Sequence, residues 1–284
     1  MLVLINFANN KFKYQQIVSS ILGKINGKFD KVIRYSPQDI DDEFYRNNIR
    51  ILGSQRGAGY WLWKPYLVYK TLNNLSLDDW LVYADSGTFF LKNAWSIINE
   101  LIVENQSIAG FELPLIEKQW TKKELFLAMD CDKPIYTESN QIHASIQVIK
   151  NTAYSRNFYR DLLHYSQNYI NITDEFNRKI AQDASFIEHR HDQSIFSLLY
   201  KMHGLKPFKD PTQYGEFPSW YAGCEVQNLA RDLLIDLPNG RLFRVNSHKQ
   251  KYNNVLYQFR DQHPIRSYIS ALRYLKKYQS HKLA

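Results

Sequence analysis

The 284-residue sequence contains only two cysteines, Cys131 and Cys224, far apart and in no zinc or redox spacing. A disulfide framework is therefore not expected, and the pair points to a reducing compartment. No apolar run approaches the length of a membrane span. The opening Met1-Leu-Val-Leu-Ile-Asn-Phe7 is too short for the core of a signal peptide and has no basic residue before it, so it reads as a first buried strand. A cytoplasmic protein is the expectation. The chain also lacks Walker A, GxGxxG, GxSxG and HExxH sequences, which argues against a P-loop enzyme, a Rossmann dehydrogenase, an α/β-hydrolase and a helix-borne zinc site. Internal repeats, low-complexity segments and a linker that would split the chain are absent too.

What is present is an ordinary soluble composition, 44% hydrophobic and 23% charged, with two biases. Aromatics reach 15%, including 20 Tyr; they serve either as core filler or as a groove that stacks on bases and sugar rings. The net charge of +8 favours an anionic partner: nucleic acid, an anionic membrane surface or phosphates.

Apolar strand signals alternate with helical ones over the first hundred residues. Strands are expected at Leu2–Phe7, Lys31–Tyr35 and Trp80–Ala84. Helices are expected at Phe12–Leu22, Pro37–Asn48, Tyr66–Leu72 (with Pro65 at the first helical position) and Trp95–Val103. This predicts an α/β fold with a mostly parallel sheet covered on both faces, its ligand site at the carboxyl ends of the strands. Further on, Ile108–Leu113 and Ile142–Ile149 read as strands, Glu117–Trp120 as a polar loop and Thr121–Glu124 as a capping box. Thr152–Tyr169 and Gln193–Met202 read as helices. Residues 1–258 form one expected domain and 259–284 a tail. In that tail Ile265, Tyr268, Ile269 and Leu272 share a face beside Arg266, Arg273 and Lys277. From Arg260 to Lys282 there are six Lys or Arg against the single acid Asp261. Such a helix suits either an anionic membrane surface or plain packing on the domain.

Four groups carry candidate chemistry. Asp85, delivered by the strand ending Tyr83-Ala-Asp-Ser-Gly87, is either a turn residue or a carboxylate aimed at a cation and a diphosphate, with Ser86 and Gly87 allowing close backbone approach. Arg56, Gly57, Gly59 and Lys64 precede a helix, a place where side-chain charge, free amides and the helix dipole together hold an anion; Trp61 and Trp63 read as core. In His189-Arg-His-Asp-Gln-Ser194, Asp192 is a helix cap or, with His191 and Gln193, a potential base and amide at a strand-to-helix junction. Lys118, Trp120, Lys122 and Gln141 form a polar set in which an exposed Trp120 would stack on a pyranose ring.

Taken together, Gly59-Tyr-Trp-Leu-Trp-Lys-Pro65, Tyr83-Ala-Asp-Ser-Gly87 and His191-Asp-Gln-Ser194 resemble a bacterial glycosyltransferase of the GT-A type, of the capsule and lipopolysaccharide kind. The likeness runs from Leu2 to about Tyr200. It implies a GT-A-like catalytic domain with a nucleoside diphosphate sugar as donor, a hexose as the transferred group and a glycan or lipid-linked acceptor. It also implies Mn or Mg on the diphosphate and work at the inner face of the cytoplasmic membrane. By that resemblance Asp85 takes the place of the metal-binding motif, with Phe7, Arg56, Lys64, Tyr83, Ser86 and Gly87 around the donor. Asp192 and Gln193 lie beside the reacting carbon with His191 next to them, and Lys118, Trp120 and Gln141 face the acceptor. The sequence departs from the family where Asp85-Ser86-Gly87 offers one carboxylate instead of two. Either His248 completes a metal set with Asp85, or Lys64 and Arg56 neutralise the diphosphate without metal. A non-catalytic sugar- or nucleotide-binding protein is the second reading. A nucleic-acid-binding protein is the third and is disfavoured, because the basic excess gathers in the tail instead of interleaving with aromatics.

Overall fold

The computed structural model describes residues 1–226, 229–259 and 263–279. Nine strands are present among these: β1 Leu2–Phe7, β2 Lys31–Tyr35, β3 Trp80–Ala84, β4 Thr88–Phe90, β5 Ile108–Ile116, β6 Asn140–Lys150, β7 Ile235–Asp236, β8 Leu242–Phe243 and β9 Leu256–Gln258. The longer helices are α1 Lys13–Leu22, α2 Trp63–Asn74, α3 Trp95–Val103, α4 Ala153–Ser166, α5 Asp192–Met202 and α6 Pro264–Gln279.

Seven strands form one sheet in the order β2-β1-β3-β6-β5-β8-β7, and β4 pairs with β9 apart from it. The parallel pairing expected from the alternating pattern holds across β2-β1-β3. From β6 outward every pair is antiparallel. The reason lies in the connections. Each strand of the first half is followed by a helical crossover, which returns the chain to the same end of the sheet, whereas β5 and β6 run in opposite directions.

Side chains of β1 and β3 alternate between two cores, as the strand period requires. Val3, Ile5, Leu81 and Tyr83 pack with α2, α4 and α5, while Leu2, Leu4, Trp80 and Val82 pack with α3. Both faces are thereby covered, which explains why β1 and β3 are apolar at nearly every position.

Several local expectations are corrected. α2 begins at Trp63, so Pro65 sits inside the first turn, where no intrahelical N–H is yet required. Residues 37–48 form a 3-10 turn and then a helix over Asp42–Asn47, not one helix. Glu117–Trp120 is a buried helical turn. Thr121 does not cap the helix Lys123–Ala128; its hydroxyl donates to Glu117 Oε1 at 2.5 Å instead.

No helix among the described residues is long and apolar enough to cross a membrane. α6 packs Ala271 and Tyr274 inward, with Tyr274 against Phe217, Trp220 and Tyr257, and leaves Ile265, Ile269 and Leu272 exposed. Arg260, Asp261 and Lys282 of the expected tail lie outside the described residues, as do the side chains of Tyr268 and Lys277.

Candidate functional site

The chain leaves β1 through α1 toward β2 on one side and then reaches β3 on the other. The carboxyl ends of β1 and β3 therefore border a topological switch point, where open sheets hold ligands. A cleft of about 1100 Å³ opens there, lined by Phe7, Arg56, Lys64, Asp85, Ser86, Gly87, His191, Asp192 and Gln193 among others. The sequence brings these together from four separate stretches.

Local geometry explains how each arrives. Ser86 Oγ donates to the Phe7 carbonyl at 2.6 Å, tying the ends of the two parallel strands together. Gly87 has room only for hydrogen, because a Cβ would meet the Phe259 carbonyl oxygen at 2.8 Å. Asp85 follows β3 directly. Its amide donates to the Ser145 carbonyl, its carbonyl accepts from Thr88, and its Oδ1 accepts from the Tyr83 hydroxyl. Tyr83 is thus a buried support for Asp85, not a lining residue, and its phenol is raised well above its usual range by burial and by Asp85.

Ahead of α2 the backbone is left-handed through five consecutive residues, Gly57 to Trp61, with φ between 50° and 99°. The three non-glycine residues cost about 1–2 kcal/mol each. At Gly59 a Cβ would meet Leu52 Cα at 2.7 Å. The turn sets Arg56 and Trp61 toward the cleft and starts α2 so that Lys64 points inward. Its amides are consumed internally: Tyr60 N donates to Arg56 O, Leu62 N to Gly59 O and Lys64 N to Trp61 O. The expectation of several free amides for an anion is corrected accordingly, since those of residues 58 to 62 and of Lys64 are bonded within the turn. Trp61 and Trp63 are more than core, because both line the cleft. Trp63 stacks on Phe7 at 3.9 Å.

Lys64 is the centre of the site. Its side chain is 5% exposed, with Nζ 2.7 Å from Asp192 Oδ2 and 3.7 Å from Asp85 Oδ1. Burial alone would lower its pKa, but the two carboxylates outweigh it and hold the amine above its usual value. Asp192 is equally buried, and burial pushes its carboxyl up to about 6 despite the pull of Lys64. Asp192 is the first residue of α5; His191 occupies the cap position, so the capping role expected for Asp192 is corrected.

His191 does not supply a free base. Its Nδ1 donates to the Ile172 carbonyl at 2.8 Å, which leaves Nε2 to accept from Arg56 Nε at 3.1 Å, and burial depresses its pKa. His189 is anchored in the same way to Asn171 O. Arg56 also pairs with Asp174 at 2.8 Å. The two histidines are struts that hold 189–193 against residues 171–172.

Gln193 is fixed by a buried chain. Glu117 accepts from Thr121, Ser197, Lys201 and Gln141 Nε2, the last at 3.0 Å, and Gln141 Oε1 accepts from Gln193 Nε2 at 2.7 Å. Gln141 is fully buried and works behind Gln193, which corrects its assignment to an acceptor surface. The exposure expected of Trp120 is corrected, although the residue does line the cleft. Trp120 is 2% exposed, with the Arg190 guanidinium 3.9 Å over its ring. Lys118 pairs with Glu138 away from the cleft. Lys122 donates to the carbonyls of Thr173 and Glu175.

The structure does not bring His248 to Asp85. Its Nε2 lies 3.0 Å from Glu112 Oε2, beside a separate small cavity. Among the described residues no group of three His, Cys, Asp or Glu is placed to hold a metal ion. The position between Asp85 and Asp192, where a divalent cation would need both carboxylates, is taken by the Lys64 ammonium. The donor set present does not fit a resident metal.

Other lining residues were not singled out from sequence: Lys11, His143, Ser145, Arg190, Trp220, Tyr221 and Arg241. For two of them a signal exists. Gln141, His143, Ser145 and Gln147 recur at every second position of β6, the mark of a polar strand face. Ser145 Oγ lies 2.7 Å from His143 Nε2 and accepts from Gln258 Nε2 at 2.6 Å.

No protein-family model and no curated protein matches the sequence. Among solved structures the chain is similar to mouse xyloside xylosyltransferase 1 in its apo form, at 11% identity and TM-score 0.46, covering 91% of this chain and 98% of that one. It is also similar to the galactosyltransferase LgtC in complex with donor and acceptor sugar analogues, at 10% identity and TM-score 0.48, covering 91% and 87%. A third likeness is to the glycosyltransferase GlyE of Streptococcus pneumoniae TIGR4, at 12% identity and TM-score 0.41, covering 78% and 49%.

Proposed function

We propose that the chain is a GT-A-type glycosyltransferase that moves a sugar from a nucleoside diphosphate donor to a hydroxyl of a surface-polysaccharide, lipopolysaccharide or lipid-linked glycan. One observation carries the reading. A single buried ammonium, Lys64, faces both Asp85 and Asp192 in a large crevice at the switch point of the sheet. The volume of that crevice suits a ligand larger than a typical small molecule.

In the reaction the bond between the sugar C1 and the diphosphate oxygen breaks, and its electron pair stays on the diphosphate. The acceptor oxygen bonds to C1, and its proton passes to the Asp192 carboxylate. With its pKa near 6, Asp192 is ionised at neutral pH and close to the range in which a carboxylate is an effective base. Gln193 is held to orient the donor sugar. Asp85 receives hydrogen bonds from donor hydroxyls, and Phe7 and Trp63 pack against the donor. The transition state of such a transfer has oxocarbenium character, so fixed charges around the departing diphosphate matter most.

A thermal-shift screen against UDP, GDP, CMP and their sugars tests this reading. Stabilisation by one nucleotide and its sugars is expected, since a ligand that binds only the native state raises apparent stability. Indifference to the whole panel would turn the reading toward a protein that binds glycans without transferring sugar.

α6 supports a second element of the proposal, attachment to an anionic membrane. Exposed Ile265, Ile269 and Leu272 lie on the same helix as exposed Arg266, Arg273 and Lys276. Co-sedimentation with anionic but not zwitterionic vesicles, lost in Arg266→Glu/Arg273→Glu, is the expected result.

A further inference from the structure

We infer that Lys64 takes the part of the divalent cation, so that the donor diphosphate is bound and released in a metal-independent way. The inference rests on the transferase reading and concerns the same cleft.

A metal in such a site bridges protein carboxylates on one side and diphosphate oxygens on the other. Here the carboxylates of Asp85 and Asp192 already share one cation, at 3.7 and 2.7 Å from its nitrogen. A divalent ion seated between them would have to displace an ammonium that is 95% buried along its side chain and walled by the rings of Tyr83 and Trp63. Nothing in that wall offers the displaced charge another partner. Its remaining contacts are ring faces, 5.3 and 5.9 Å from Nζ.

An ammonium carries three N–H groups and no acceptor. Among the described residues Asp192 is the one ion-pair partner within hydrogen-bonding distance, and Asp85 at 3.7 Å attracts by charge. The other N–H groups of Lys64, beside the cleft, are the donors with which a diphosphate oxygen would be held. Gly87, where the implied motif places a second carboxylate, offers no ligand. The chain therefore lacks one acid of that motif and supplies a cation from α2 instead. Arg56 differs from Lys64 in being half exposed, with its Nε turned to Asp174 and His191 and away from the two site carboxylates.

Isothermal titration of the whole chain with UDP, GDP and CMP, with EDTA and again with Mn²⁺, tests the inference. The expected result is that the preferred nucleotide binds equally in both, within about twofold, and that Lys64→Met lowers its affinity about 100-fold. Nucleotide binding that needs Mn²⁺ and vanishes in EDTA overturns the role of Lys64 but leaves the transferase reading standing. Failure of all three nucleotides in both conditions overturns the transferase reading and the inference with it. A second measurement guards against misfolding of the variant. Electron paramagnetic resonance of Mn²⁺ added to the unsubstituted protein without nucleotide should show only the free ion, and Lys64→Ala, which vacates the position between two carboxylates, should bind it. A tightly bound Mn²⁺ in the unsubstituted protein contradicts the inference.

Discussion

The parallel and antiparallel halves of the sheet furnish the cleft in different ways. In β2-β1-β3, groups arrive because strands end: Phe7 and Asp85 lie at or just past the last residue of a strand, and Ser86 laces the two ends together. In the antiparallel half they arrive from the middle of β6, as His143 and Ser145, or through the buried chain from Glu117 by Gln141 to Gln193. One half positions its groups by short local turns. The other does so by side-chain contacts across 24 and 52 residues of sequence. Lys64 and Asp192 are where the halves meet, so substitutions in the two halves should fail in different ways.

The largest effect is expected at the junction. Asp192→Asn should lower kcat by about 10²–10⁴-fold and weaken the hold on Lys64. The pH dependence then separates catalysis from folding. Because the folded pKa of Asp192 lies above its ordinary 3.8, its protonated form favours the fold. That contribution is full below about 3.8 and is lost as pH rises through about 6. Activity runs the opposite way, since the base exists only above about 6. A rate profile with an acid limb near 6, absent in Asp192→Asn, is the expected outcome; a limb unchanged by the substitution would assign it elsewhere.

In the antiparallel half, Glu117→Gln removes the charge and one of the two acceptor oxygens that four donors share. It should cost about 3 kcal/mol in urea unfolding, because Lys201 is left without its partner. It should also lower kcat more than nucleotide affinity, since Gln141 is then free to turn and Gln193 with it. Equal losses in both would make the network merely structural.

In the parallel half, Gly59→Ala should cost at least about 2 kcal/mol, because the residue sits at φ 99° with a Cβ driven into Leu52. It should weaken nucleotide binding by moving Arg56, Trp61 and Lys64 together. Smallest of all, Thr152→Ala removes the cap of α4, far from the cleft, and should cost about 1 kcal/mol with binding unchanged.

The same contrast explains what could be read in the sequence. β1, β2, β3 and α3 have the boundaries expected of them, because each carries its own apolar period and its own punctuation. Asp85, Lys64 and Asp192 were legible as candidates, since a carboxylate after an apolar strand and a lysine locked between tryptophan and proline are local anomalies. That Lys64 joins the other two was not legible, because 21 and 128 residues of chain separate it from them. Trp120 and Gln141 were misread as surface because a polar segment looks the same whether it faces solvent or a buried carboxylate. The antiparallel turn of the sheet after β3 was missed for a related reason: strand direction is set by connections, and the strand signal itself carries none.

The most direct test of the account is release of free nucleotide (UDP, GDP or CMP) from a panel of UDP-, GDP- and CMP-linked sugars, compared between the unsubstituted protein and Asp192→Asn. The account predicts slow hydrolytic release from one donor class, increased by a glycan acceptor and lost in the variant. Release from no donor, or release undiminished in a folded Asp192→Asn protein, would contradict it.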